Sequence, residues 1–491
     1  MQLSSLLQGF IELPPELNID VKRLVLDSRQ IQAGDLFFAV KGAAMDGRQF
    51  IPAALKAGVA AILTDSDADY EAIIFNERTP IISIKHLKEN IGLFAARFFG
   101  EPAKSLRMIG VTGTNGKTSC THFMAQVLGM PAAVIGTLGS GMYGALGAAG
   151  LTTPDAITLQ SMLCDFLKQH AAMVAMEVSS HSIDQGRING IEFEMGVFTN
   201  LTQDHLDYHQ TMQAYADVKK RFIQGPQTQH VMINADDDYG KQWILELASH
   251  KSVFAYSCKM NATERAALMV PFIHADNVQL SLQGIEADVH TPWGAARLST
   301  PLIGEFNLSN VLAVIGTMCF YGRPLQDVID RLAVVKPVPG RMQTVVRENK
   351  PLVVVDYAHT PDSLEKALRA LRLHTKGKLI CVFGCGGDRD KTKRPIMASI
   401  AEKLADKVFV TNDNPRNEVP ETIAAEIMQG FKQPERVSVL LDRSKAIENS
   451  IQYAEICDCI LVAGKGAETY QQIGSEKKHF DDVEEVIKYL S

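Results

Sequence analysis

A run of apolar residues, Leu106 to Val111, leads into Gly110-Val-Thr-Gly113-Thr-Asn-Gly116-Lys117-Thr118, and a helical pattern follows from Thr118 to Leu128. No other segment constrains the fold so tightly. Glycines let the backbone turn its N–H groups toward an anion, and the helix N-terminus adds positive potential. Lys117 is placed for terminal phosphates, and the Thr118 hydroxyl suits Mg²⁺. The segment predicts the strand, loop and helix of a nucleotide-binding α/β unit. Its spacing departs from the common phosphate loop, because Val111 stands five residues before Gly116 and the glycine falls one earlier, at Gly110. The competing account is a chance glycine-rich turn, which the flanking strand and helix disfavour.

Around this unit the strand and helix signals alternate. Leu24 to Ala39 reads as apolar runs broken by Asp27-Ser28-Arg29 and Gly34-Asp35, with a helical pattern near Ile51 to Ala57. Further strands are expected at Met173 to Val178, Val197 to Asn200 and Val231 to Asn234, with helices between them, which implies a parallel sheet. Pro337 and Pro339 interrupt the segment Val335 to Gly340, and the alternation resumes at Val353 to Val355, Leu379 to Phe383, Val408 to Val410 and Ile460 to Val462. A chain of 491 residues exceeds one hydrophobic core. We expect three domains, at 1–103, 104–336 and 337–491. In open α/β sheets ligands gather beyond the carboxyl ends of strands, so chemistry is sought there.

Composition narrows the class. With 46% hydrophobic and 21% charged residues, the chain reads as an ordinary globular protein rather than a disordered or membrane one. No apolar run reaches the roughly 18 residues of a membrane span. Met1 to Pro15 carries no secretory pattern, so a cytoplasmic location is expected. A net charge of −7 argues against broad nucleic-acid binding, and anionic ligands must then be held by a few placed cations. The eight cysteines read as reduced thiols, and Cys381/Cys385 and Cys457/Cys459 lack zinc spacing.

Several motifs carry two readings each. Glu177 follows an apolar strand, either as a Mg²⁺ ligand or as a solvated or capping acid. Asp204-His205-Leu-Asp207-Tyr-His209 suggests zinc, but no further ligands follow at a recognised spacing, and zinc is rejected. Lys219, in a basic helical stretch, reads on its own as a solvated face. Asn307 and Asn310, after Gly304, fit either an N-terminal cap or contacts to a nucleotide. Asp413-Asn-Pro-Arg416 fits a surface turn, or a guanidinium placed to grip a carboxylate bidentately.

Taken in order, these motifs resemble the Mur ligase family. GVTGTNGKT is similar to the nucleotide loop of Mur ligases and folylpolyglutamate synthetases, which hydrolyse ATP to activate a carboxylate. The resemblance implies an α/β fold with a small N-terminal α/β UDP-binding domain, a central P-loop parallel-sheet ATPase domain and a C-terminal Rossmann-like domain. It places Gly113, Thr114, Asn115, Gly116, Lys117, Thr118, Asn307, Asn310, Arg341 and Asp356 at ATP. Thr118, Glu177, His205 and Lys219 fall at Mg²⁺, with Lys219 carbamylated by CO₂. Lys117, Lys219, His205 and Arg341 are the implied catalytic residues. Ser28, Thr152, Thr153, Ser179, Gln185 and Arg187 match positions for a UDP-linked muramoyl dipeptide, although Leu151 replaces the usual Asn. Arg389, Asp413, Asn414, Arg416, Gly464 and Glu468 resemble the signature of the diaminopimelate-adding branch, with Ala467 where His is usual.

The implied reaction is ATP-dependent addition of meso-diaminopimelate to the D-glutamate carboxylate of UDP-N-acetylmuramoyl-L-alanyl-D-glutamate, through an acyl phosphate, in peptidoglycan and cell wall synthesis. A monomer is expected. A lysine-adding ligase, a folylpolyglutamate synthetase and a non-catalytic nucleotide switch are the alternatives.

Overall fold

The computed structural model describes residues 1–42, 45–66, 72–76, 78–129 and 131–491. They form two compact units. The first comprises Met1–Gly110, Gly129–Gly196 and Gln224–Gln229, and the second Val111–Leu128, Val197–Ile223 and His230–Ser491.

In the first unit, Leu24–Val25, Leu36–Ala39, Ala61–Asp65, Thr79–Ile84 and Ala72–Asn76 form a sheet in that order, parallel except for the last strand. Leu36–Ala39 is buried throughout, as a strand covered on both faces must be. Its alternate residues diverge. Leu36 and Phe38 join Leu63, Ile82 and Phe94 in one core, whereas Phe37 and Ala39 join Ala54 and Ile62 in another. Elsewhere in the unit Ala132–Gly136 and Met173–Glu177 run parallel. The helix Ala156–Lys168 begins where the Asp155 carboxylate accepts from the Ile157 and Thr158 N–H groups.

In the second unit the loop helix is Lys117–Leu128. Thr228–Asn234, Ser252–Ser257 and Phe272–Ser281 pair in parallel, as the alternation predicts. The expectation of a purely parallel sheet is corrected beyond them. Gly284–Thr291 and Gly294–Thr300 add antiparallel strands, because connections of only two residues, Leu282-Gln283 and Pro292-Trp293, cannot cross over to a parallel neighbour.

A six-stranded sheet follows, in the order Gln343–Val345, Leu352–Asp356, Cys459–Ala463, Leu379–Phe383, Lys407–Val410 and Val437–Val439. All its pairs are parallel except the first. Helices Pro361–Arg372, Lys393–Leu404 and Pro420–Met428 contribute to one apolar core of this sheet, and Arg443–Tyr453 and Asp482–Leu490 to the other. Arg443 and Asp482, both without exposed side-chain surface, pair at 2.7 Å and tie the last helix down. Removing one member of such a pair costs about 3–5 kcal/mol. Because Cys459–Ala463 inserts between Leu352–Asp356 and Leu379–Phe383, the strand order reverses there, and a crevice is expected at the adjoining carboxyl ends. Among the described residues no helix is long and apolar enough to cross a membrane.

Candidate active site

The glycine-rich loop is shaped by its own sequence and braced by the segment after Phe198. Gly113 has φ +148°, and a Cβ there would lie 1.9 Å from Thr199 Oγ1, so only glycine fits. The Thr114 N–H donates to Asn200 O at 2.8 Å, the Asn115 N–H to Asn200 Oδ1 at 3.0 Å, and Thr199 Oγ1 to Asn115 O at 2.6 Å. Lys117 Nζ donates to the carbonyls of Gly113 and Thr114, each at 2.8 Å.

Lys219 is 1% exposed, so the solvated-face reading fails. Its Nζ donates to Gly113 O at 2.9 Å, the same carbonyl that Lys117 uses, and lies 4.7 Å from the Tyr215 ring centre. Burial and then the Lys117 charge hold the Lys219 ammonium well below the usual lysine range, only partly opposed by Asp204. Two cations on one buried carbonyl are unfavourable, and the neutral amine relieves them.

His205 has φ +55° and precedes the short helix Leu206–His209. Its Nε2 lies 3.4 Å from Asp204 Oδ2, an oxygen also 3.6 Å from His359 Nε2, while Lys393 Nζ is 3.8 Å from Asp204 Oδ1. Burial opposes the Asp204 charge, but His359, His205 and Lys393 together hold its carboxyl well below the ordinary range.

Arg341 brings the C-terminal sheet's entry turn to the loop. A guanidinium nitrogen lies 3.3 Å from Thr118 Oγ1, and the group sits 4.2 Å over the Tyr357 ring. Asp356 accepts from the Met342 N–H at 2.7 Å and so pins the turn that carries Arg341. Burial, opposed by Arg341, raises the Asp356 carboxyl. The capping reading of Asn307 and Asn310 is corrected. The helix Glu305–Phe320 starts after Gly304, Asn307 donates back to Ile303 O, and Asn310 lies against Gly116.

Beyond the carboxyl ends of the C-terminal strands, Asp413, Asn414, Arg416, Gly464 and Glu468 come together. Asn414 Nδ2 donates to Glu468 Oε2 at 2.7 Å, and Lys465 Nζ lies 3.2 Å from the same oxygen. Asp413 Oδ2 packs against Gly464. Arg416, at φ +53°, donates to Gly387 O at 2.7 Å, beside the loop of Arg389, whose own guanidinium reaches Asp388 O. Arg394, with no exposed side-chain surface, bonds Glu418 and Glu426, and Glu418 accepts the Asp388 N–H. The Arg394 guanidinium draws the Glu418 carboxyl down to about 2.

The first unit holds its own constellation. Glu177 is 1% exposed, against the solvated reading, and accepts from the Thr137 N–H and hydroxyl at 2.8 and 3.2 Å. Thr152 bonds Thr137, and Thr153 donates to Glu177 O and lies 3.3 Å from Ser179 Oγ. Arg187 donates to Thr153 O and Gln185 Oε1. A cleft of about 400 Å³ is lined by Lys41, Arg48, His86, Lys88, Ser66 and Gln185 together with the carboxylates of Asp65, Glu89 and Asp184. Ser28 is absent from that lining and opens the short helix Ser28–Gln30, capped by Asp27. Leu151 is exposed.

Comparison with known proteins bears on this geometry. The Mur ligase family catalytic domain matches residues 20–99, the Mur ligase middle domain 111–318, and the Mur ligase glutamate ligase domain 340–466. A UDP-N-acetylmuramoyl-L-alanyl-D-glutamate--2,6-diaminopimelate ligase of Coxiella burnetii is 45% identical over 96% of each chain. The chain belongs to the Mur ligase family. A Pseudomonas aeruginosa protein of the same name is 44% identical to this Mur ligase, over 97% of the chain and 96% of its own length. A solved structure titled with that ligase name superposes with a TM-score of 0.70 at 34% identity, covering 100% of this Mur ligase and 99% of its own chain. The three-domain α/β architecture is thereby established.

Several residues of this Mur ligase's site escaped the sequence reading. Lys465 stands in the run Gly464-Lys-Gly-Ala-Glu468, and Asp204 beside His205, yet neither spacing reveals its partners. Lys393 and Arg394 carry no motif of their own, and burial of a charged residue, the telling signal, is invisible until the chain is folded.

Proposed function

We propose that this Mur ligase uses ATP to join meso-diaminopimelate to the D-glutamate carboxylate of UDP-N-acetylmuramoyl-L-alanyl-D-glutamate. The relatives' names support the reading, and one observation carries it. The group beyond the C-terminal strands offers both a guanidinium, Arg416, and a carboxylate, Glu468. Diaminopimelate differs from lysine in bearing a carboxylate beside its distal ammonium, so its recognition calls for both signs of charge.

In this mechanism Lys117 and Arg341 offset the negative charge of the phosphates as the glutamate carboxylate attacks the γ-phosphorus, giving an acyl phosphate and ADP. The amine of diaminopimelate then attacks the acyl carbon; the C–N bond forms, the acyl C–O bond breaks, phosphate leaves with its electron pair, and the amine gives up a proton to solvent. Asn307, Asn310 and Asp356, with loop residues Gly113 to Thr118, hold ATP. Thr152, Thr153, Ser179, Gln185 and Arg187 hold the muramoyl dipeptide. Lys41, Arg48 and Lys88, which share their cleft with Asp65, Glu89 and Asp184, offer the diphosphate more than Ser28 alone.

Mg²⁺ is the cofactor of this reading, and the donor chemistry fits it. Thr118 supplies a hydroxyl, His205 an imidazole and Glu177 a carboxylate, the last on sequence resemblance alone. An ammonium cannot ligate a cation, but Lys219 is held toward the neutral amine, which is the form that attacks CO₂. An N–C bond forms, one proton leaves to solvent, and the product is an anionic carbamate suited to a hard cation. Bound there, Mg²⁺ would neutralise phosphate charge.

Domain limits of 1–103, 104–336 and 337–491, a monomer and a cytoplasmic location belong to the same reading. The test is ATP consumption with the UDP-muramoyl dipeptide across a panel of amino acids. ADP release requiring both the dipeptide and meso-diaminopimelate is expected. Preference for lysine would make the chain a lysine-adding ligase, and phosphate release without any amino acid would make it a nucleotide switch.

A further inference from the structure

The antiparallel strands of the second unit carry a cluster that the ligase reaction does not use. His274 and His290 stand directly opposite each other on Phe272–Ser281 and Gly284–Thr291. Asp276, two residues beyond His274, shares their face of the ladder. Both Nε2 atoms converge on one oxygen, Asp276 Oδ2, from 3.4 Å for His274 and 3.6 Å for His290. We infer that His274, Asp276 and His290 form a binding site for a divalent transition-metal ion of the zinc class.

Geometry carries the argument. Those separations exceed a good hydrogen bond, which for these atoms is about 2.7–3.2 Å. They match instead the spacing of neighbouring ligands around a tetrahedral ion, about 3.3–3.4 Å when the bonds are about 2.0–2.1 Å. All three ligand atoms lie within 4.8 Å of one another, and the two rings stack at 4.9 Å with an interplanar angle of 15°. Because the rings are nearly parallel, closing on one ion would require them to turn about their side-chain torsions. Two imidazoles and one carboxylate, with a fourth position open to water, select zinc-like ions, whereas Mg²⁺ and Ca²⁺ demand oxygen.

The neighbouring charges leave the carboxylate available. Asp288, opposite Asp276, is occupied by Asn277 and Arg297, and Arg297 also holds Glu286. Among the described residues the ion-pair partners of Asp276 are these two imidazoles. Bound there, the ion adds a clip to two strands already joined by backbone pairing, by the Asn277–Asp288 bond and by a two-residue turn. The competing account is a plain histidine–aspartate ion pair.

Full-length protein is stripped with chelator, held in excess Mg²⁺ to occupy oxygen-rich sites, and titrated with Zn²⁺ by calorimetry and with Co²⁺ by visible absorption. The wild type is expected to show a binding event that weakens about 100-fold in His290→Gln and in Asp276→Asn, since loss of even an outer-shell partner costs about 10–100-fold. Zn²⁺ should raise the melting temperature of the wild type and not of His290→Gln. Because His290 is partly exposed and outside the ligase site, ligase turnover of His290→Gln should equal that of the wild type and vouch for its fold. Equal Zn²⁺ binding by wild type and both variants, or none by the wild type, overturns the site and leaves the ion pair.

Discussion

Lys219 and Lys465 are both buried lysines of the second unit, and their surroundings are opposite. Lys219 shares a carbonyl with another ammonium, and its nearest aromatic contact is the face of Tyr215. Lys465 lies against the Glu468 carboxylate, Asn414 Oδ1 and the Tyr470 carbonyl. Burial is equal, so burial does not set their chemistry. Partners do: one lysine is pushed toward its neutral amine by a neighbouring ammonium, and the other pairs with the carboxylate it aims.

The largest effect expected from this contrast is on turnover. Lys219→Ala should lose on the order of 10²–10³-fold in rate, the loss seen when one transition-state charge contact is removed, and a small added carboxylate should restore part of it. Full activity without rescue would break the contrast. Stability should move the other way. The folded pKa of Lys219 is depressed, so between it and about 10.5 the unfolded chain binds the extra proton, and folding becomes more favourable as pH rises. In CO₂-free buffer at neutral pH, Lys219→Met should therefore melt above the wild type, with the gap closing toward pH about 10.5.

Lys465→Met should do the reverse. Removing Lys465 leaves Glu468 bonded to the Asn414 amide but without its cation, and should cost about 1–3 kcal/mol in urea unfolding, with a raised KM for diaminopimelate. Equal stability of the two methionine variants would erase the distinction.

Glu418→Gln sharpens the comparison at the same pocket by loosening the loop of Arg389, at a cost of about 2 kcal/mol near neutral pH. Because the Glu418 pKa is depressed from 4.5 to about 2, its contribution is present above the ordinary value and lost as pH falls through the folded one. Wild type and variant should converge across that window in acid unfolding. The smallest effect is expected from Arg416→Lys, which keeps the charge and loses the fork. KM for meso-diaminopimelate should rise about tenfold, or ~1.4 kcal/mol, with lysine turnover little changed.

The parts legible in the sequence are those where local pattern and structure coincide. Leu379–Phe383 was expected as a strand and is one, with the same ends, because an apolar β-branched run buried on both faces has few other options. The loop of Gly113 to Thr118 was legible because its glycines answer to backbone geometry. The antiparallel strands after Phe272 went unseen although Ile285 to His290 alternates apolar and polar, since their turns lack the usual glycine and asparagine pairs. For Asn307 and Asn310 the sequence left a cap and a nucleotide contact equally open, because helix starts shift by a residue or two and a cap assignment depends on that position. The partners of Asp204 lie far off in sequence, at His359 and Lys393, and no local spacing encodes a contact of that separation.

The turn at Gly340 has a wider consequence. A Cβ at this residue would lie 2.1 Å from the Ala467 nitrogen and 2.3 Å from the Gly466 carbonyl carbon, and φ is +64°. The peptide that launches Arg341 toward the phosphate loop is therefore wedged against the strand-end loop that launches Glu468 toward the amine. Nucleotide grip and amino-acid grip share a single keystone of bare backbone. Any side chain inserted at that point would misalign both halves at once, so evolution can retune either specificity by altering what projects from the two loops, but not where they lean on each other.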